Sequence, residues 1–527
     1  MANRAQSFNA RALYHLGVPP LETGLDGRGV AIGFVDYGFD ILHSCFRDLA
    51  SGRSRFRYLW DQNTGREFDG DEIDRLITIA EDRQSREPVD KVYDPHANYF
   101  GRAGVGQGAH GTFIASAAAG SAIAGFRGVA PAAELIAVQV GLLDHHWKEE
   151  DERGTPTWIS WRPEAEPTWS GWRNYDEAEQ ISSALEYIYD RARRIRARGL
   201  VINLSIGAYA GAHDGKSPVE QKISQVLARA RFDRFPCAVV ISAGNAGLEE
   251  GHFSGVVEPG QPLSFAWRMF RTDLTQNKLE IWYRAKAPIL IGLELHGTPL
   301  SQTISPGQTH SIKLGDVRIG IADHVPNARD PLSRARILLH PPFFPKSAWP
   351  NDFDEVAFTI RCAPTEASGA AVLHAWLERD DGPANRSTLY PSHPTSTLSC
   401  LSGAPGAIVV GAYDHLRKEA VAPFPFASLG PLPWSNFRAP LVTAPGHRIW
   451  GARSKSSGFA ESSGTSVAAA LTSGLVALQM QQIPAEQPYD QEHWAQCLCP
   501  PDRRTMWDPR FGYGPITLRH SMEKVAA

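Results

Sequence analysis

The chain has 527 residues, enough for two or three domains each with its own core. With 43% hydrophobic and 21% charged residues it falls in the range of soluble globular proteins, which argues against disorder and fibrous repeats. The formal net charge of −4 and the lack of a long basic run argue against nucleic acid as a partner. No run of about 18 apolar residues offers a membrane span, and the opening residues lack the apolar core of a secretory signal, so a soluble cytoplasmic protein with no membrane partner is expected. The six cysteines are scattered, and the closest pair, Cys497 and Cys499, has no zinc-knuckle spacing; reduced structural thiols and no metal site or cofactor are expected.

In chain order, the first apolar run is Val30 to Val35, followed by Asp36-Tyr37-Gly38. Short Val/Ile-rich runs bounded by turn residues read as buried parallel strands, and three more follow at Leu135 to Val140, Leu200 to Leu204 and Ala238 to Ile241. Between them lie two helices. One starts with Asp176 and Glu179 in a capping-box arrangement, carries Ile181, Ala184, Leu185, Ile188 and Ile195 on one face, and ends at Gly199. The other opens with Ser217, Pro218 and Glu220. Alternating strands and helices predict a doubly wound α/β fold with a parallel sheet. After Asn245 the pattern changes to period two in Leu263-Phe265-Trp267, Leu279-Ile281-Tyr283 and Val317-Ile319-Ile321, which predicts an inserted antiparallel β-sandwich. The expected division is 1–251, 252–395 for the insertion, and 396–527, where strand Ala407 to Val410 and a helix near Ser466 resume the α/β pattern.

Four segments carry residue types suited to chemistry. Asp36 ends a buried strand, where catalytic groups of α/β folds sit. His110 follows the glycine-rich stretch Gly101 to Gly108 and opens a small-residue helix, so its ring can face a cleft. Asn245 lies between Gly244 and Gly247 after a buried strand, where its amide can donate to a developing oxyanion. Ser466 follows a Gly-Thr turn at the start of a helix, whose free N–H groups can also stabilise negative charge. Each segment alone is compatible with an ordinary cap, turn or packing role.

Taken together, the order Asp, His, Asn, Ser at strand and helix junctions resembles the subtilisin-like serine peptidases. Gly128-Val129-Ala130-Pro131, the run Val201 to Gly207, and Gly512-Tyr513-Gly514-Pro515 extend the resemblance. The segment Arg55 to Gln62 and the long β insertion are similar to the clostridial spore-germination branch, which carries a jelly-roll insertion there. The resemblance implies an endopeptidase acting on protein or peptide substrates: Ser466 as nucleophile, His110 as base, Asp36 as its support, and Asn245 with the Ser466 N–H as oxyanion hole. Ser205, Ile206 and Gly207 would pair with substrate backbone as a strand. Limited intracellular processing of one or a few proteins is the expected role; a latent enzyme or a regulatory pseudoprotease is the alternative.

The chain departs from the family pattern at several places. Ala470 stands where proline commonly follows the nucleophile by four residues, and a looser helix entry is expected. Cys45 replaces a carboxylate that often serves a structural calcium, which argues against calcium there. The short stretch before Asp36 is expected to hold no inhibitory propeptide. The Trp-rich segment 143–175 is expected to form either a substrate-restricting flap or a surface capping loop. Ala246 next to Asn245 brings no charge toward the substrate side chain, and Glu249 and Glu250 read as solvated loop charges that could instead contribute to it.

Overall fold

In the computed structural model the described residues are 9–62, 64–81, 110–140, 149–150, 156–157, 174–273, 277–300, 303–326, 332–341, 344–349, 355–378, 387–417, 421–482, 491–499 and 506–518. The Trp-rich segment 143–175, expected as a flap or a capping loop, and the glycine-rich stretch before His110 lie almost wholly outside them. Among the described residues, no helix is long and apolar enough to cross a membrane.

The four predicted buried strands form the centre of a nine-stranded sheet, in the order Cys237–Ser242, Gly199–Leu204, Val30–Asp36, Glu134–Gln139, all parallel. Ile408–Asp414 continues it in parallel beyond Cys237–Ser242, and Phe56–Asp61 does so beyond Glu134–Gln139. Short antiparallel strands, Arg66–Asp69 and Ala422–Pro423, lie at the edges, and the ninth strand, Val442–Pro445, pairs in parallel with Ile408–Asp414. The central strands are buried along their whole length because helices cover both faces, which is why they read as continuous apolar runs. In register, Val35 pairs with Val138 and Leu204, and Leu204 pairs with Ile241, so the chain leaves neighbouring strands at one edge through Asp36, Ser205 and Ser242.

Helices Asn174–Arg194 and Pro218–Phe232 cover one face, their apolar residues Leu185, Ile188, Ile223 and Val226 packed with Ile202 and Val239. The first begins two residues ahead of the expected Asp176 cap, whose side chain is outside the described residues. The second starts with the expected reciprocal capping box: Ser217 Oγ accepts the Glu220 N–H, and the Glu220 carboxylate accepts the Ser217 N–H. Helices His110–Ala119 and Thr465–Gln482 cover the opposite face. Their alanines let them lie close to each other and to the sheet; Ala117, Ala118, Ala468 and Ala469 have no exposed surface.

Between Cys237–Ser242 and Ile408–Asp414 the chain builds two antiparallel sheets. One runs Thr298–Pro299, Leu290–Leu295, Glu355–Ala363, Leu263–Phe270, Thr388–Tyr390; the other runs Thr309–Leu314, Val317–Val325, Leu332–Leu339, Asn277–Arg284, Ala371–Leu377, His252–Val257. Phe265, Trp267 and Phe358 of the first face Leu279, Ile281 and Leu373 of the second in one apolar core. Alternation holds along Leu263–Phe270 but fails in Val317–Val325, where every residue from Ile319 to His324 is buried. The polar members of that run have internal partners: Asp323 pairs with Arg336 at 3.1 Å, and His324 bonds Tyr283 Oη at 2.7 Å and the Ile304 carbonyl at 3.1 Å. Pairing of this kind is what allows a polar residue to sit on the covered face.

Candidate active site

Asp36 ends its strand with no exposed surface. Its Oδ1 accepts the Tyr37 N–H at 2.7 Å, which anchors the carboxylate. His110 Nδ1 lies 2.7 Å from Oδ1 and 2.9 Å from Oδ2. Against a buried acceptor-only carboxylate, Nδ1 carries the proton and Nε2 is left as the basic nitrogen. The Tyr37 ring stacks on the imidazole, with centroids 5.3 Å apart and planes 18° apart.

The His110 helix is fastened to the loop that follows Asp36. The Gly111 and Thr112 N–H groups, orphan donors of a first helical turn, bond the Tyr37 and Gly38 carbonyls at 2.7 and 3.0 Å. Thr112 Oγ1 also donates to Gly38 O at 2.6 Å and accepts the Asp40 N–H at 2.7 Å. Glycine is needed at 111: a β-carbon there would lie 2.8 Å from the Phe39 ring and 2.9 Å from the Tyr37 oxygen. The far end of the helix is tied down by Arg55, fully buried, whose guanidinium donates to the carbonyls of Ala119, Ala133 (2.8 Å) and Cys45 (3.2 Å) and to Ser121 Oγ (3.1 Å). Burial lowers its pKa to about 10, still a cation at neutral pH. Cys45 is itself buried, and burial pushes its thiol pKa up, so it stays neutral beside this cation. Among the described residues, no group of three or more His, Cys, Asp or Glu is arranged to hold a metal.

Ser466 is the second residue of Thr465–Gln482, at the N-terminal end of a long buried helix. Despite alanine at 470, the helix entry is held firmly rather than loosely: Asn245 Oδ1 accepts both the Thr465 N–H at 2.9 Å and its hydroxyl at 3.1 Å, and Thr465 Oγ1 accepts the Gly244 N–H at 3.1 Å. With its oxygen so engaged, the Asn245 amide keeps its Nδ2 hydrogens as donors. The Ser466 hydroxyl donates to the Ser205 carbonyl at 3.3 Å; among the described residues it has no hydrogen bond with His110.

Ser205, Ile206 and Gly207 follow the end of strand Gly199–Leu204, with Gly207 exposed. Ser205 Oγ donates to Asn203 Oδ1 at 2.8 Å, and Asn203 Nδ2 donates to Ser473 Oγ at 3.0 Å, which locks this segment to the Ser466 helix. Thus Asp36 meets His110 directly, and Ser466 meets both Asn245, through Thr465, and Ser205. Glu249 lines a small pocket with Tyr209, Ala246, His252 and Glu378; Glu250 is exposed. Sequence reasoning gave no role to Tyr37, Thr465 or Tyr209. Thr465 belongs to the Gly-Thr turn before Ser466, but nothing in the sequence marks it as a bridge to Asn245, nor marks Tyr209, whose hydroxyl accepts the Asn245 N–H at 2.7 Å.

A parallel sheet flanked by helices, with an Asp–His pair and a helix-start serine at its carboxyl edge, is the architecture of a serine hydrolase with subtilisin-like topology. The sequence profile of the subtilase family matches residues 27–264 and 381–514, and the chain belongs to that family of serine endopeptidases. Among solved structures, the CspB protease of Clostridium perfringens is similar over 98% of this chain and 97% of its own, with a TM-score of 0.69 at 20% identity, a likeness of fold that extends through the insertion. Fervidolysin from Fervidobacterium pennivorans, a keratinolytic enzyme related to subtilisin, matches 97% of this chain and 45% of its own at 14% identity and a TM-score of 0.43. No curated protein matches the sequence.

Proposed function

We propose that the protein hydrolyses peptide bonds at the site formed by Asp36, His110, Ser466 and Asn245. The observation that carries this reading is the buried Asp36 carboxylate facing His110 Nδ1 with both oxygens, which leaves Nε2 as the base the reaction needs. Ser466 Oγ attacks the substrate carbonyl carbon while its proton passes to Nε2, and the imidazolium is stabilised by Asp36. The carbonyl oxygen takes up the negative charge between Asn245 Nδ2 and the Ser466 N–H. His110 returns the proton to the leaving amine, and water repeats the sequence on the acyl-enzyme.

An extended peptide adds as a strand along Ser205 to Gly207. A substrate N–H bonded to the Ser205 carbonyl competes with the Ser466 hydroxyl for the same oxygen. Substrate binding therefore frees the nucleophile to turn toward His110. That same bond in the resting protein favours a latent enzyme as the second reading, in which Ser466 reacts slowly until the segment is occupied. Limited processing of few substrates in a reducing cytoplasm is the role we propose; the six cysteines, buried as thiols rather than joined in disulfides, are in keeping with that compartment.

The test is labelling by a fluorophosphonate, compared between wild type and Ser466→Ala. Labelling that disappears in the variant supports the peptidase reading, and acceleration by a short peptide supports latency. Folded wild type that is never labelled overturns both.

A further inference from the structure

The segment assigned to substrate backbone and the loop carrying Asn245 are both held by Ser399 and Cys400, and the space between the two segments is where a substrate side chain would go. A substrate whose carbonyl sits at Ser466 and Asn245, and whose backbone runs along Ser205 to Gly207, must send the side chain before the scissile bond into it. The floor is closed by Ser399 and Cys400: the Ser399 N–H donates to the Ala243 carbonyl and the Cys400 N–H to the Ala208 carbonyl, each at 2.8 Å. Both walls present glycine. A β-carbon on Gly207 would come within 2.7 Å of Ser399 Oγ; one on Gly244 would come within 2.8 Å of Ser428 Oγ and 2.9 Å of the Tyr209 ring.

Tyr209 packs its ring against the glycine wall at 244. Its side chain reaches back under the oxyanion loop, where its hydroxyl accepts the Asn245 N–H at 2.7 Å, and the residue is only 9% exposed. Its backbone is held by the inserted sandwich, because the Tyr209 N–H donates to Glu378 Oε1 at 2.8 Å and Glu378 Oε2 pairs with Lys278 at 2.9 Å. The phenol is thus braced at both ends, by the oxyanion loop and by the insertion.

We propose that Tyr209 is the specificity-determining residue of this site, filling the cleft between Gly207 and Gly244 so that only substrates with a small side chain before the scissile bond, glycine, alanine or serine, are cleaved. This rests on the peptidase reading above. A pocket that rejects bulk by overlap discriminates steeply, since the excess atoms have nowhere to go without displacing a braced ring. The insertion then acts on specificity from outside the cleft, through Glu378 and the Tyr209 backbone.

The experiment compares wild type, Tyr209→Ala and Tyr209→Phe on a peptide set varied only at the residue before the scissile bond, after fluorophosphonate labelling has established for each protein that Ser466 is reactive. Wild type and Tyr209→Phe, which keeps the ring, are expected to prefer alanine over leucine and phenylalanine. Tyr209→Ala is expected to raise kcat/KM for leucine relative to alanine by at least about tenfold, the scale on which apolar pockets discriminate side-chain size. Labelled wild type that cleaves equally after alanine and phenylalanine overturns the proposal while leaving the peptidase reading intact, as does a labelled Tyr209→Ala with an unchanged profile. Should Tyr209→Ala fail to fold, the wild-type profile decides alone. Wild type that is not labelled overturns the peptidase reading itself, and this proposal with it.

Discussion

Replacing Asp36 by asparagine isolates the electrostatic part of the site. The side chain keeps its shape, and the Tyr37 N–H, 2.7 Å from Oδ1, holds the carboxamide oxygen in that position. The amide nitrogen then takes the place of Oδ2, 2.9 Å from His110 Nδ1, where a protonated Nδ1 would set hydrogen against hydrogen. The imidazole relieves the clash by moving its proton to Nε2, and the base toward Ser466 is lost. The carboxylate that stabilises the imidazolium is lost as well. Together the two effects are expected to lower kcat by about 10⁴, or about 5 kcal/mol of transition-state stabilisation, the scale seen when a triad aspartate is amidated in another serine peptidase. Steady-state hydrolysis of an alanine-containing peptide, with thermal unfolding to show that the fold survives, measures it. An Asp36→Asn protein within tenfold of wild type and labelled at the wild-type rate would refute the assignment of His110 and Asp36.

Other expectations test the surroundings of the pair. Asn245→Ala removes an oxyanion donor and is expected to lower kcat by about 10²–10³ with little change in KM, measured on the same peptide. Arg55→Met leaves the carbonyls of Ala119 and Ala133 without their buried donor, while the Cys45 carbonyl keeps the Ser121 N–H; at roughly 1–3 kcal/mol for each group left unsatisfied, the change is expected to lower the urea midpoint clearly. Burial raises the Glu220 pKa to about 7 from an ordinary value of 4.5. In that interval the folded state binds more protons than the unfolded one, so Glu220 contributes a loss of stability as pH rises from about 4.5 to 7, on the order of 3 kcal/mol. Glu220→Gln, which keeps an acceptor for the Ser217 N–H, is expected to flatten that part of the stability-versus-pH curve measured by urea unfolding.

The parallel strands were legible because strands covered on both faces must be apolar throughout, and Val30 to Val35 and Leu200 to Leu204 are. The capping box at Ser217 was legible because it depends only on residues three apart. Asp36, His110, Asn245 and Ser466 could be picked out because each stands beside turn residues at an element junction, and their order matched a known family pattern. Sequence could not reveal that Thr465 links Asn245 to the Ser466 helix, or that Arg55 bonds three carbonyls around the His110 helix, since those partners lie far apart along the chain. The period-two reading failed in Val317–Val325 because burial there follows pairing with Arg336, Tyr283 and Ile304, supplied by other strands and loops. Tyr209 is the clearest case. Chemical patterning along the chain determined which residues are able to react and which segments form the sheet; the space available around them was decided by what packs across the cleft, because excluded volume belongs to neighbours in three dimensions and leaves no periodicity in sequence.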